Sequence, residues 1–444
     1  MSSSSAVSSS TPAGFDGLGL DAVLLRGIAA ARFDRPRPIQ VETIPAALAG
    51  RDVLGLAQTG TGKTAAFALP LLSRLLADTA DTRRAPGPRA LILAPTRELA
   101  SQIDAELRLL ARYTRITSVT VYGGVSAHAQ AQALRRGADV VVACPGRLLD
   151  LHRQRALRLD RVETLVLDEA DHMFDMGFLP DIRRILAALP ARRQNLLFSA
   201  TMPREVRHLA DDILRNAHVV ELSHSRPVET VEHSLYPVAE GRKVDLLQHL
   251  LGEGSLASAI VFTRTKHRAK RLAQQLDRAG HRAVALQGNM SQNQRDRAMR
   301  GFRERRFDVL VATDIAARGI DVSKVTHVIN FDVPITPDAY THRIGRTGRS
   351  ENEGKAFTFV TGEDRSMIRA IERVMGAPIP RCELPGFADR AAAEVGLQER
   401  SERDGAGRGP RRNDVRRSSR GRGGRVQRGR SGGGRGRPGA SRPR

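Results

Sequence analysis

The 444-residue sequence has no tryptophan and only two cysteines, and none of its apolar runs approaches the roughly 20 residues that a membrane-spanning helix needs. Cys144 and Cys382 lie far apart and lack the spacing of metal ligands. This argues against a disulfide scaffold or a zinc site and predicts a reducing, cytoplasmic location. Residues 1–13 lack the positive and apolar regions of a signal peptide, and their many serines predict a disordered leader.

Acidic residues are outnumbered by basic ones, with 48 Asp and Glu against 71 Lys and Arg. The formal net charge is +23, which indicates a polyanionic partner. A nucleic acid is favoured over an anionic membrane, because the chain has neither a spanning segment nor a signal peptide.

The C-terminal end carries much of the positive charge. Residues 401–444 contain 15 arginines, 3 acidic residues and no aromatic side chain. Such a segment buries too little apolar surface to fold alone, so we expect a disordered Arg/Gly-rich tail over 379–444. Two interpretations stay open for it: a solubilising tail, or an arm that holds RNA phosphates loosely and stacks arginine planes on bases.

Short apolar runs alternate with helical patterns from about residue 50 onward. A first group predicts strands at 52–57, 90–94, 118–122, 139–143, 164–168 and 195–199. A second group predicts strands at 258–262, 283–286, 308–312, 326–330 and 355–360. The runs are continuously apolar, as in parallel strands covered by helices on both faces. We therefore expect an α/β fold with two tandem lobes, 14–221 and 233–378, joined by a linker at 222–232.

The segment AQTGTGKT (57–64) follows a predicted strand and opens a predicted helix. Gly60 and Gly62 let the backbone turn tightly and direct N–H groups at phosphate oxygens. Lys63 would reach the β- and γ-phosphates of a nucleotide, and the Thr64 hydroxyl would bind Mg²⁺.

An acidic run follows the apolar strand TLVL. Asp168 at the strand end is placed to hold Mg²⁺ through water, and Glu169 is suited to orient or deprotonate the attacking water. The alternative is an acidic cap on the next helix. The phosphate loop upstream on the same sheet favours the catalytic interpretation.

The second lobe supplies arginines in HRIGRTGR (342–349). Arg343, Arg346 and Arg349 recur at three-residue steps, which places them on one side of a helix or turn. Arginines that reach a γ-phosphate across a cleft stabilise the charge of the transition state. The alternative use is contact with nucleic-acid phosphates.

Together these residues resemble the DEAD-box family of RNA helicases over about residues 14–376. The motifs occur in the family order: RPRPIQ (35–40), AQTGTGKT, PTRELA (95–100), Gly123-Gly124, CPGR (144–147), DEAD (168–171), SAT (199–201), VFTRTK (261–266), SQNQR (291–295), ATDIAARGID (312–321) and HRIGRTGR. The resemblance implies two RecA-like domains and an ATP-dependent RNA helicase that unwinds short duplexes, with ATP and Mg²⁺ as cofactors.

The resemblance also implies roles for individual residues. Gln40 would read the adenine edge, with Phe15 packed near the base and Asp321 on the ribose. The remaining nucleotide contacts would come from the phosphate loop, which comprises Ala57, Gln58, Thr59, Gly60, Thr61, Gly62, Lys63 and Thr64. The residues implied in coupling the ATP site to RNA are Asp171, Ser199, Thr201 and His342. Those implied in holding the RNA backbone are Pro95, Thr96, Arg97, Gly123, Gly124, Gly146, Arg147, Thr263, Arg264, Gln292, Arg295 and Thr313.

Several positions depart from the family pattern. Arg37 stands where the family usually has Ser or Thr, whereas Ala57 departs only from the general phosphate-loop pattern, which begins with Gly. Arg32 stands in place of Gly, and Cys144 in place of Thr. The first substitution in the adenine pocket, Arg37, puts one cap or hydrogen bond in question, and a thiol at 144 bonds more weakly than a hydroxyl.

Details such as MGFLPDI (176–182) and IPRCELPGF (379–387) resemble the bacterial RhlE-type branch. A monomer is expected. Ribosomal precursors and the mRNA decay machinery stay open as partners, since backbone contacts carry no sequence address. Two other functions also stay open, an RNA scaffold with a vestigial ATPase and a DNA-directed motor.

Overall fold

The computed structural model describes residues 14–57, 60–77, 87–222, 231–252, 256–317, 325–348 and 354–382. These residues form two parallel sheets, of seven and six strands, with helices packed on their faces. No helix in these ranges is both long and apolar enough to cross a membrane.

The first sheet has the strand order β3-β4-β2-β5-β6-β1-β7 and is parallel throughout. Its strands are β1 (Val53–Leu56), β2 (Ala90–Leu93), β3 (Ser118–Val121), β4 (Val140–Ala143), β5 (Thr164–Leu167), β6 (Gln194–Ser199) and β7 (His218–Glu221). The helices of this lobe are α1 (Ala22–Ala30), α2 (Pro38–Leu48), α3 (Lys63–Ala77), α4 (Arg97–Leu110), α5 (Ala127–Arg135), α6 (Pro145–Arg153), α7 (Ala170–Asp175), α8 (Leu179–Ala188) and α9 (Arg204–Ile213).

The second sheet has the order β10-β11-β9-β12-β13-β8. Its strands are β8 (Val231–Pro237), β9 (Ala259–Phe262), β10 (Ala283–Leu286), β11 (Val309–Ala312), β12 (His327–Asn330) and β13 (Gly354–Val360). Its helices are α10 (Lys243–Gly252), α11 (Lys266–Arg278), α12 (Gln292–Arg303), α13 (Asp314–Ala317), α14 (Pro337–Ile344) and α15 (Arg365–Met375).

The predicted strands are all present, with ends within one residue of those expected. Most of them are buried along their whole length, as in β2, β4 and β5, because helices cover both faces of the sheet. Strands β7 and β8 are not predicted by the sequence. Both are edge strands in which polar residues interrupt the apolar run, so no continuous apolar signal marks them.

The start of the predicted tail is ordered. Ile379 is buried, and residues 380–382 pair with β8: the Leu235 N–H donates to Pro380 O and the Cys382 N–H donates to Leu235 O, each at 2.8 Å. The disorder predicted for residues 379–382 is therefore wrong, because the open edge of β8 offers these residues backbone partners. Residues 383–444, the leader and most of the predicted linker lie outside the described residues.

The strand order divides the carboxyl edge of the first sheet. The phosphate loop follows β1, Asp168 follows β5, and the SAT segment follows β6, which lies between them. The segments predicted to hold RNA follow β2, β3 and β4, which are also neighbours. Because ligands of open α/β sheets bind at this edge, the fold separates two candidate sites on one surface.

Candidate active site

The phosphate loop is shaped by two glycines. Gly60 and Gly62 have φ angles of +90° and +92°, in the left-handed region that glycine adopts at little cost. A Cβ atom on Gly62 would lie 2.6 Å from Gln40 Nε2, so the loop and Gln40 are closely packed. Lys63 begins α3, which directs the positive end of the helix dipole at the loop. Gln58 and Thr59 lie outside the described residues.

Lys63 and Asp168 face each other in the buried part of the site. Lys63 Nζ lies 3.9 Å from Asp168 Oδ1, and both side chains are almost fully buried. Within the described part of the chain, Lys63 Nζ has no hydrogen-bond acceptor. A buried ammonium without an acceptor is costly, so this site is suited to an anion such as a nucleotide phosphate.

Two side chains at this site could hold Mg²⁺, one through a hydroxyl and one through a carboxylate. Thr64 is half-buried beside Lys63, and burial raises the pKa of Asp168 to about 6, with the nearby Glu169 adding to the rise. No cluster of three or more metal-ligating side chains exists among the residues placed by the structure. One carboxylate and one hydroxyl fit Mg²⁺, which keeps several waters and takes phosphate oxygens as further ligands.

Glu169 lies at the start of α7 in a strained conformation. Its φ and ψ are +52° and +53°, left-handed values that a non-glycine residue adopts at a cost. Its side chain makes no capping bond and instead accepts a hydrogen bond from His172 Nδ1 at 2.8 Å. The structure does not support the helix-cap alternative. Burial opposes ionisation, yet interactions with His172 and Lys63 hold the pKa of this carboxyl below its ordinary value.

Asp171 is bonded to the SAT segment. Its Oδ2 accepts from Thr201 Oγ1 at 3.0 Å, from the Thr201 N–H at 2.9 Å and from the Ala200 N–H at 3.2 Å. Its own N–H donates to Ser199 Oγ at 3.2 Å. The neighbouring carboxyl groups thus differ in surroundings: Asp171 holds a loop, while Asp168 and Glu169 face Lys63.

The second lobe contributes His342 and Arg346, which lie near this acidic run. Arg346 is buried and close enough to Glu169 to lower the pKa of that carboxyl. His342 Nδ1 lies 3.2 Å from Nε2 of His172, with the two rings edge to face. His172 belongs to no motif, so the sequence does not predict its place in the site. Arg349 and Asp321 lie outside the described residues.

Arg343 has a different role from the one expected of the arginine series. Its guanidinium is buried and donates to both oxygens of Asp314, at 2.5 and 2.8 Å, and to Asn330 Oδ1 at 3.0 Å. It also lies over the ring of Phe262, 5.1 Å from the centroid. These contacts place Arg343 inside the lobe, so the expectation that it lies beside Arg346 at a phosphate is wrong.

The residues predicted to form the adenine pocket adjoin the phosphate loop. The side chain of Gln40 accepts from the Arg37 N–H at 2.8 Å and donates to Gly62 O at 3.1 Å. Arg37 cannot accept a bond as Ser or Thr would, and its guanidinium donates to Gly60 O instead. Phe15 is buried and stacks on Phe33, with the ring centroids 6.5 Å apart. Gln40 therefore contacts the phosphate loop. At position 37, a bond from the guanidinium to the loop stands where Ser or Thr would supply a side-chain cap.

The predicted RNA contacts of the two lobes meet each other. Arg97 Nη1 donates to Gln292 Oε1 at 2.9 Å, and Arg295 forms a 2.7 Å ion pair with Glu98. Gly124 packs directly against the Arg97 guanidinium. The other predicted contacts lie in loops or first turns at the carboxyl ends of strands: Pro95, Thr96, Gly123, Gly146, Arg147, Thr263, Arg264 and Thr313.

Cys144 is the N-cap residue that precedes α6, and its side chain makes no capping hydrogen bond. Burial raises the pKa of its thiol to about 12, and the charge of Glu98 acts in the same direction. Cys382 is less buried, and both thiols are free.

We expect the two thiols to react with a disulfide reagent at different rates in the native protein, Cys382 faster than Cys144. At pH 8 Cys144 stays protonated, and the thiolate is the reactive species, so a disulfide reagent should modify Cys382 first and Cys144 only after denaturation. Spectrophotometric titration of the thiols, with Cys382→Ser as the control, measures this. Equal rates for both thiols in the native protein would contradict the burial of Cys144.

Protein-family models match segments in both lobes, and known relatives match most of the chain. Residues 37–209 match the DEAD/DEAH box helicase family, and residues 242–351 match the helicase conserved C-terminal domain. The DEAD-box ATP-dependent RNA helicase CshA of Bacillus subtilis is 42% identical over 84% of this chain and 74% of its own length. The ATP-dependent RNA helicase CshA of Listeria monocytogenes is 41% identical over 86% of this chain and 72% of its own length.

Solved structures of similar chains contain ligands. Dbp5 of S. cerevisiae, bound to RNA and ADP BeF3, is 35% identical with a TM-score of 0.74, covering 87% of this chain and 99% of its own. Mss116p, bound to ssRNA and AMP-PNP, is 27% identical with a TM-score of 0.75, covering 86% of this chain and 80% of its own.

Proposed function

The chain belongs to the DEAD-box family of ATP-dependent RNA helicases, and from that premise we propose how its own residues hydrolyse ATP on RNA and open short duplexes. The observation that carries the proposal is the buried Lys63 ammonium, which lacks an acceptor among the described residues and faces Asp168. The β- and γ-phosphates of ATP supply the anion that this ammonium requires.

The catalytic groups come from both lobes. Lys63 and the backbone of Gly60–Gly62 hold the phosphates, while Gln40 and Phe15, with Asp321, hold the nucleoside. Glu169 accepts the proton of the attacking water. Arg346 and Arg349 approach the γ-phosphate from the second lobe and stabilise the transition-state charge. Mg²⁺, held by Thr64 and through water by Asp168, would neutralise phosphate charge.

RNA binding completes the cycle. The single strand lies along the other half of the sheet edge, where its backbone contacts the predicted RNA-binding residues of both lobes. ATP can favour the joined lobes only because it contacts both of them. After hydrolysis the γ-phosphate charge is lost, the lobes separate, and the RNA leaves. Asp171 carries this change to the RNA side through Ser199 and Thr201, with His342 as the contact from the second lobe.

Comparing ATP hydrolysis in the presence of RNA and of DNA tests the proposal. We expect phosphate release to rise when single-stranded RNA is added and to rise much less with DNA of the same sequence, because only RNA offers 2′-hydroxyls. Equal stimulation by DNA would favour a DNA-directed motor. Absence of hydrolysis with either nucleic acid would favour a scaffold with a vestigial ATPase.

Finer assignments are also proposed. The segments MGFLPDI and IPRCELPGF support an RhlE-type branch, whereas the relatives compared above are CshA proteins; a phylogeny that groups the chain with CshA would contradict it. Both lobes of one chain supply residues to the site, which supports a monomer. Sedimentation as a dimer would contradict this proposal. The free thiols suit a cytoplasmic location, which cell fractionation tests.

A further inference from the structure

His172 lies between the proposed base and the second lobe. It is 2% exposed, on the first turn of α7. Its Nδ1 lies 2.8 Å from Glu169 Oε2, and its Nε2 lies 3.2 Å from His342 Nδ1. One imidazole therefore contacts the carboxylate of one lobe and a side chain of the other.

The hydrogen-bonding capacity of Glu169 and of the two histidines restricts where the protons between them can lie. An ionised carboxylate only accepts hydrogen bonds, so the proton between His172 and Glu169 is assigned to Nδ1 of the imidazole. Two protonated nitrogens cannot face each other at 3.2 Å, so the contact between His172 and His342 holds a single proton. Nε2 of His342 points in turn toward Asp171, 3.9 Å from its Oδ2. The line thus runs from Glu169 through both rings to the carboxylate that holds the SAT segment.

We propose that His172 is a positioning residue that holds the Glu169 carboxylate for attack and makes that position depend on contact with His342. The inference rests on the proposed function, since it assigns Glu169 the role of base. When the lobes separate, His172 Nε2 loses its contact with His342. The imidazole is then held less firmly, and so is the Glu169 carboxylate that it contacts. RNA and ATP, which join the lobes, would thereby also order the base.

Substitutions that keep only one of the two ring nitrogens of His172 separate its contact with Glu169 from its contact with His342. The side-chain nitrogen of Asn matches Nδ1 of histidine, whereas that of Gln matches Nε2. His172→Asn therefore keeps a donor for Glu169 and loses the contact with His342. His172→Gln keeps the reach to His342 and leaves Glu169 without its donor. His172→Ala removes both.

Steady-state ATP hydrolysis at varied ATP and RNA concentrations tests the proposal. For the Ala and Gln variants we expect kcat to fall by about 10- to 100-fold with KM for ATP within about 3-fold of the wild type, because a misplaced base slows chemistry more than binding. For the Asn variant, which keeps a donor for Glu169, we expect a smaller fall in kcat than in the Ala and Gln variants, while the RNA concentration for half-maximal stimulation rises by about 10-fold.

The controls separate the possible failures. His208→Ala, an exposed histidine on α9, should match the wild type. If the wild type shows no RNA-stimulated hydrolysis, the proposed function fails. If it does, and all three His172 variants keep its kcat and RNA response, the positioning role is wrong. An equal loss in all three with a lowered unfolding temperature would assign His172 a structural role and also overturn the proposal.

Discussion

Replacing Glu169 by Gln lowers the rate of RNA-stimulated ATP hydrolysis by about 10²- to 10⁴-fold, the usual loss when a general base is removed. Gln keeps an oxygen that accepts the bond from His172, 2.8 Å from the carboxylate in the wild type, but it cannot take a proton from water. ATP and RNA affinities should therefore stay near the wild-type values. Single-turnover hydrolysis, with nucleotide binding measured separately, distinguishes the chemical step from binding.

Asp171→Asn is the matched comparison, since it removes a neighbouring carboxylate. Oδ2 of Asp171 accepts three hydrogen bonds from Ala200 and Thr201. Its Oδ1 accepts from the His172 N–H at 3.0 Å, so an amide, with one oxygen and one NH₂ group, cannot accept at both ends. The lost charge also weakens the bonds from Ala200 and Thr201, so the SAT segment should loosen. We expect this variant to lose duplex unwinding more than hydrolysis, the reverse of Glu169→Gln. If both variants lost the two activities in the same proportion, the division of roles within the acidic run would be wrong.

Replacing Arg346 by Ala lowers kcat by about 10³- to 10⁵-fold, the range for an arginine that stabilises phosphoryl-transfer charge. Arg346 belongs to the second lobe, whereas the phosphate loop belongs to the first, so nucleotide affinity in the absence of RNA should change little. Arg346→Lys should restore only part of the rate, because an ammonium lacks the planar two-pronged geometry. Phosphate release with saturating RNA measures all three proteins.

Arginines elsewhere in the same lobe control for charge and folding. Arg373→Ala, at an exposed position on α15, should leave the rate unchanged. Arg343→Ala should instead lower the unfolding temperature, because it leaves Asp314 and Asn330 without their buried donor. If Arg346→Ala retained most of the wild-type kcat, the arginine would belong to RNA binding, the alternative that its spacing left open.

The fold was largely predictable because buried parallel strands read as continuous apolar runs. Runs such as TLVL and AIVF predict β5 and β9 correctly, since helices cover both faces. The edge strands β7 and β8 carry polar residues beside their few apolar ones, so their composition does not distinguish them from loops. The pairing of residues 380–382 with β8 depends on an open sheet edge, which no local pattern reveals.

The candidate site was predictable where chemistry requires a particular residue at a particular spacing. The glycines of the phosphate loop, Lys63 and Asp168 meet this condition, and the structure brings them to one sheet edge. The regular spacing of Arg343 and Arg346 concealed different environments, because the separation of side chains in space depends on the packing of α14. His172 follows the acidic run without any motif of its own, and only the juxtaposition of the lobes shows its partner.

The left-handed backbone at Glu169 has a consequence for directed evolution of this protein. Glycine at that position would relieve the backbone cost of about 1 kcal/mol and remove the buried carboxylate at the same time. A library screened for heat resistance alone would therefore enrich folded but inactive proteins with changes at residue 169. With Glu169 as the proposed base, stability and turnover compete at this residue, so a selection must score both.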